Sequence, residues 1–171
     1  MRKKGQLLFL AAFLWILSLP ARAEYTTSIG ARVGKFAHGL VVKHFFNTNA
    51  NFGLEGLAAW TKEGRNGYTG RIYAVKQLPI INAKLHIPID FIIGGGAHAG
   101  FFKRQYYDIV DGGASYYNEK TMTAGLGATF QLEFDSERFP VTLGIQADPF
   151  YNFLNPGPEW IDFGLTLRVK L

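Results

Sequence analysis

From Lys120 to Phe134 the chain alternates, residue by residue, between two chemically different faces. Met122, Ala124, Leu126, Ala128, Phe130, Leu132 and Phe134 fall on one side, with Thr121, Thr123, Gly125, Gly127, Thr129, Gln131 and Glu133 on the other. The last eleven residues repeat the pattern. Ile161, Phe163, Leu165, Leu167, Val169 and Leu171 alternate with Asp162, Gly164, Thr166, Arg168 and Lys170. Period two over such lengths requires extended strands whose two faces meet different surroundings. No stretch after Glu24 shows the 3.6-residue period of an amphipathic helix, so the fold class is all-β.

The same alternation predicts eight strands, over 26–35, 39–46, 51–61, 68–77, 87–102, 120–134, 139–150 and 160–171. Turn-forming residues separate them: Asn47-Thr48-Asn49, Glu63-Gly64-Arg65-Asn66-Gly67, Asp111-Gly112-Gly113, Asp135-Ser136 and Asn155-Pro156-Gly157-Pro158. An even number of strands joined by consecutive turns closes naturally into an up-and-down barrel. If the first strand starts on the periplasmic side, the connections near 47–50, 78–86 and 135–138 face the periplasm. The longer ones, 103–119 and 151–159, face outward, which is the asymmetry of transmembrane barrels.

Residues 1–23 stand apart from this pattern. Arg2, Lys3 and Lys4 precede an apolar run from Leu7 to Leu19 that only Ser18 breaks, and Pro20 leads into Ala21-Arg22-Ala23. That order predicts a cleaved secretory signal peptide, the run being short for a transmembrane helix; the alternative is an uncleaved anchor. No Cys follows the run, so lipid attachment at a cysteine is excluded. Export also reshapes the electrostatics. Of 18 basic residues four fall in the leader, which leaves 14 against 13 acids. A net charge near +1 without a basic cluster excludes a nucleic-acid partner. The remaining 24–171 make one barrel domain.

The contents of the two faces decide between a soluble and a membrane barrel. A lipocalin-like barrel keeps its apolar face inside around a ligand, whereas a small membrane barrel turns it out to lipid. The non-apolar faces carry Arg32, Lys43, Glu55, Arg71, Asp90, His98, Gln131, Glu133, Gln146, Asp148, Asp162 and Arg168. Both signs are present, so these side chains can pair across a narrow lumen. Gly30, Gly34, Gly94, Gly96, Gly100, Gly125, Gly127, Gly144 and Gly164 share those faces, leaving room for long neighbours and easing strong bending. A soluble sandwich would carry more Lys and Glu and fewer Gly. Two aromatic levels follow from the topology: Trp60, Tyr68, Phe101, Phe150 and Trp160 at outer strand ends, and Phe46, Phe52, Phe134 and Phe139 at inner ends. Amphipathic rings favour both interfaces of a bilayer.

The stretches GLVVKHFFNTNANFGLEG (39–56) and FIIGGGAHAG (91–100), with the strand from Pro140 to Asp148, resemble small outer-membrane β-barrel proteins of the OmpX and OmpA transmembrane-domain group. The resemblance covers the whole chain after the leader. It implies a bacterial outer-membrane location, outer-membrane lipid as surroundings and passage through the barrel-assembly machinery. Such proteins commonly end in an aromatic residue, and this chain instead ends in Leu171.

No catalytic, metal or cofactor site is expected. His38, His44, His86 and His98 lack ligand spacing. Ser28 and Ser115 have no neighbouring His that could serve as base for lipid acyl hydrolysis, which stays as an alternative function. The lumen network is assigned to Arg32, Lys43, Glu55, Arg71, Asp90, His98, Gln131, Glu133, Asp148 and Arg168, and a lumen so filled predicts no pore. Strands 87–102 and 120–134 exceed the ~9–11 residues that cross the hydrocarbon. They should project outward with Tyr106, Tyr107, Tyr116 and Tyr117 near the tip, where an extracellular protein or glycan could bind. The other reading of that hairpin is interfacial anchoring.

Overall fold

The alternation is realised as eight antiparallel strands that close on themselves. In the computed structural model the described residues are 26–47, 51–61, 67–79, 89–110, 113–135, 140–154 and 160–171, with side chains of 47, 79, 102–110 and 113–121 excepted. The leader and its cleavage site lie outside them. The strands are β1 (Thr27–Gly34), β2 (Ala37–Asn47), β3 (Phe52–Thr61), β4 (Gly67–Pro79), β5 (Ile89–Val110), β6 (Gly113–Asp135), β7 (Val141–Leu154) and β8 (Ile161–Lys170). Each pairs with its sequence neighbours, and β1 pairs with β8 from Ser28↔Lys170 to Gly34↔Gly164, closing the barrel. Closure leaves no open edge within the wall.

Parity sorts the side chains. In β8, Asp162, Gly164, Thr166 and Arg168 are buried while Phe163, Leu165, Leu167 and Val169 are exposed. The exposed large side chains include Ile29, Val33, Leu40, Ile72, Leu126, Leu132, Leu143 and Ile145, and thus continue across the wall. The fold is therefore inside-out relative to a soluble barrel: charges are enclosed, and the outer wall suits hydrocarbon.

Strand extends into two of the expected loops. β5 and β6 keep pairing through Lys103↔Lys120 and Tyr106↔Tyr117 to Val110↔Gly113, where 103–119 was expected as a connection. Tyrosines and β-branched residues favour an extended ladder, which confines the connection to Asp111 and Gly112. Likewise β7 runs on to Leu154, four residues into the expected loop 151–159. A register shift opposite Ala124 and Gly125 accommodates it.

Pro149 lies inside this wall. The β6–β7 pairing is interrupted between Gly127↔Phe150 and Phe130↔Ala147, where a residue without N–H cannot donate to the ladder. At the other end Asn51 takes a φ of 49°, a left-handed conformation that Asn tolerates, and its carbonyl accepts the Gln77 N–H at 2.9 Å.

Glycine serves close approach at Gly96, where an added Cβ would stand 1.8 Å from the Ile72 carbonyl oxygen. At Gly70, on the outer face, a Cβ would meet nothing within 4 Å. Gly96→Ala is therefore expected to cost about 1–3 kcal/mol in denaturant unfolding, as overpacking does. Gly70→Ala should change stability by at most about 0.5 kcal/mol. Equal effects at the two sites would contradict this account.

Candidate functional site

The enclosed polar residues form two four-membered charge clusters stacked in the lumen. In the first, Arg32 (β1) and Arg71 (β4) share Asp148 (β7) and Asp162 (β8). Arg32 reaches Asp148 at 3.1 Å and Asp162 at 2.9 Å, while Arg71 reaches them at 3.0 and 2.8 Å. Asp148 and Asp162 stand directly opposite one another in the β7–β8 ladder, and the two guanidinium groups bridge these like charges. Gly34 and Gly164 make this possible, since a Cβ at either would collide with the Arg32 guanidinium.

In the second cluster, Lys43 (β2) and Arg168 (β8) share Glu55 (β3) and Glu133 (β6). Lys43 lies 2.8 Å from Glu133 and 3.4 Å from Glu55; Arg168 lies 3.1 Å from Glu55 and also bonds Glu133. Two glutamines connect the parts. Gln131 accepts from Lys43 at 2.9 Å and donates to Glu55 at 2.8 Å. Gln146 accepts from Arg32 at 3.1 Å and donates to Glu55 at 3.0 Å, joining both clusters. Each cluster holds two cations and two anions, so no net charge accumulates in a low-dielectric interior where an unpaired ion is costly. The bonds tie opposite walls together across the axis.

The remaining expected members lie at the ends. Asp90 accepts from Gln77 at 2.6 Å, close to the end where β1 starts. A further pair there, Lys170 with Asp135 at 2.6 Å, was not among the assigned site residues. At the hairpin end the His98 ring bonds Asn152 through Nε2 at 2.6 Å. Asp162 and Gln146 had been placed on the polar face without a role, yet they prove to be the pivots of the network. Parity alone could identify the face, but not which members meet across the axis.

Part of the lumen is apolar, which the sequence reading did not separate. Phe45, Tyr73, Val75 and Ile92 pack together, as do Ala37, Val41, Leu57 and Ala59. In β2 both faces carry apolar residues, so alternation gives no contrast there. Phe150 needs correction. It was expected in the outer aromatic level, but its position in β7 has inward parity. Its ring meets His98 at 5.6 Å between centroids and lies under the Arg71 guanidinium at 5.8 Å. The other outer-level residues Trp60, Tyr68, Phe101 and Trp160 are exposed, as are Phe46, Phe52 and Phe134 at the other level. Phe139 lies outside the described residues.

Tyr106, Tyr107, Tyr116 and Tyr117 occupy facing ladder positions, Tyr106↔Tyr117 and Tyr107↔Tyr116; their side chains lie outside the described residues. Among the described residues no group of three or more His, Asp or Glu could hold a metal ion. Ser28 pairs in register with Lys170 and Lys43, at the opposite end from His98. His44 bonds Thr27 on the outer wall, and His38 stands opposite Trp60. His86 and the side chain of Ser115 lie outside the described residues.

No protein-family model and no curated protein matches the chain. Among solved structures, the N-terminal β-barrel domain of Pseudomonas aeruginosa OprF is similar, at 13% identity and a TM-score of 0.56. That match covers 83% of this chain and 96% of that one. Ail, the attachment invasion locus protein of Yersinia pestis, aligns over 86% of this chain and 96% of its own, with 17% identity and a TM-score of 0.39. The first likeness establishes the fold. The chain has the architecture of the small outer-membrane barrels that its sequence resembles.

Proposed function

We propose that the chain works in the bacterial outer membrane as a non-catalytic barrel that presents the β5–β6 hairpin to the outside. The carrying observation is the length of that ladder relative to its neighbours. β4 accompanies β5 only to Gly67↔Phe102, and β7 accompanies β6 only to Ala124↔Leu154. Beyond those rungs, among the described residues, β5 and β6 pair only with each other, to Val110↔Gly113. Lys103 to Val110 alone extend ~26 Å at ~3.3 Å per residue. Such a two-stranded arm pairs with no other strand among the described residues, so that an extended protein segment can join its margins, and it carries tyrosines that suit protein or glycan surfaces. The lumen network supports the same reading, because a cross-braced axis leaves the outer surface as the place of contact.

The chain contains no cysteine, which gives a clean test. Asp111→Cys, between β5 and β6, should react with a membrane-impermeant maleimide on intact cells. Asn49→Cys, in the connection between β2 and β3, should react only after the cells are broken. The protein should fractionate with the outer membrane and migrate differently on gels when unheated. Recovery as a freely soluble periplasmic protein would sink the proposal, and so would labelling of Asn49→Cys alone on intact cells.

A further inference from the structure

Among the described residues, every enclosed acid but Asp90 meets a cation. Glu55 and Glu133 meet Lys43 and Arg168, Asp148 and Asp162 meet Arg32 and Arg71, and Asp135 meets Lys170. Asp90 has instead the neutral Gln77 amide, whose Nε2 donates to its Oδ2 at 2.6 Å. Its register partner across the β5–β6 ladder is Glu133, and like charges directly opposite one another destabilise a sheet. Lys76, one residue before Gln77, has the outward parity of Ile72 and Ala74. The described cations of the lumen thus leave one enclosed negative charge unmatched, at the end where β1 starts.

Unpartnered oxygens stand beside that charge. Gln77 Oε1 and both amide atoms of Asn51 have no hydrogen-bond partner, although Gln77 is 1% exposed and Asn51 0%. Both side chains turn inward: Asn51 shares the buried parity of Gly53 and Glu55 on β3, and Gln77 that of Tyr73 and Val75 on β4. The Gln77 N–H donates to the Asn51 carbonyl at 2.9 Å, which sets the two residues side by side. Asp90 lies diagonally across from Gln77, since Gln77 pairs with Ile92 and Pro79 with Asp90. Asp135 Oδ2, at the same end of the lumen, is unpartnered too. Buried acceptors without donors are costly, and several beside an unmatched carboxylate call for a positive charge.

We infer that Asp90, Gln77 and Asn51 form a binding site for a hard divalent cation, calcium. Calcium takes carboxylate, amide and water oxygens together. The donors here are one carboxylate and two amide oxygens, a different set from a group of three acids or imidazoles, which the described residues do not contain. Enclosure favours a bare ion, because a substituted ammonium would have to bring carbon groups among fully buried side chains. A water carried by the ion can accept from Asn51 Nδ2. With one charged ligand the affinity belongs to the weak range of calcium sites, a Kd of about 10⁻⁴–10⁻³ M. The inference goes beyond the proposed function and needs only the barrel, whichever side the hairpin faces.

The full chain after residue 23 is refolded in zwitterionic detergent micelles, titrated with calcium chloride by calorimetry, and unfolded in urea. Trp60 and Trp160, the only tryptophans after the leader, report unfolding. One ion should bind per barrel. Calcium at about 10 mM should shift the unfolding equilibrium about 10- to 100-fold toward the folded state, by mass action. Asp90→Asn should abolish that shift. Asn51→Gly keeps the left-handed backbone at a φ of 49°, so it should fold, and it should weaken calcium binding about 10-fold. Asp111→Asn, between β5 and β6 at the other end, should leave binding unchanged.

No calcium shift in the parent protein would overturn the inference and leave water as the occupant of these oxygens. An undiminished shift in Asp90→Asn or in Asn51→Gly would overturn it as well. An equal shift with tetramethylammonium chloride at the same ionic strength would assign an organic cation or a general salt effect, which also overturns the calcium site. Heat-dependent gel migration checks each sample. Its loss in the parent protein would sink the barrel reading itself, whereas a folded barrel indifferent to calcium sinks only this inference.

Discussion

Replacing Arg168 with Met should destabilise the barrel by about 3–5 kcal/mol, the usual cost of breaking a buried ion pair by removing one partner. Arg168 is fully enclosed and contacts both Glu55 and Glu133. Its loss leaves Glu55 and Glu133 with Lys43 as the remaining cation of this cluster, which then carries one excess negative charge away from bulk water. The destabilisation comes mainly from that residual charge and only in part from the lost bonds. A second substitution separates the two contributions. Arg168→Met combined with Glu133→Gln restores equal numbers of cations and anions, leaving Lys43 with Glu55. The double variant should be more stable than the sum of the single effects predicts, by about 0.5–3 kcal/mol. Denaturant unfolding in lipid vesicles, read by tryptophan fluorescence, measures all four corners of the cycle. Strict additivity, or an Arg168→Met barrel as stable as the parent, would show that the clusters are not coupled as their distances indicate.

The same residues show how far sequence reasoning reaches. The alternation in β6 and β8 gives strand, face and barrel closure, because period two with unlike faces has only one physical solution there. It therefore gives the inward side of Gln131, Glu133 and Arg168. It does not give partners. Which cation meets which anion depends on the stagger of strands around the barrel, and Arg32 meets Asp162 and Asp148 more than a hundred residues away. Phe150 was misplaced because parity was set aside there in favour of position along the strand. The hairpin length was underestimated because polar residues from 103 to 119 read as a connection. Cross-strand pairing, invisible to a single segment, keeps them in the ladder. In β2, with Val41 and Val42 on opposite faces, no contrast existed from which the apolar part of the lumen could be inferred.

Leu165→Lys should separate a lipid environment from water more sharply than any lumen change. Leu165 lies midway along β8, 62% exposed, between Val33 at 63% on β1 and Ile145 at 61% on β7. Surrounded by hydrocarbon, a lysine at mid-wall costs about 2–4 kcal/mol, and the cost falls to about 0–1 near an interface. Leu171→Lys, beyond the end of β8 and also exposed, provides the interfacial comparison. A soluble barrel would respond in the opposite way, since an exposed Leu to Lys change in water stays within about 0.5 kcal/mol of neutral and helps solubility. The expected result in vesicles is a markedly lower unfolding midpoint for Leu165→Lys and little change for Leu171→Lys. Equal, small effects at both positions would place the wall in water. Exposure alone does not decide what an apolar wall faces, because exposed apolar area is common on soluble proteins too. The depth dependence does decide it: only a slab of hydrocarbon makes the penalty vary along one strand while exposure stays high.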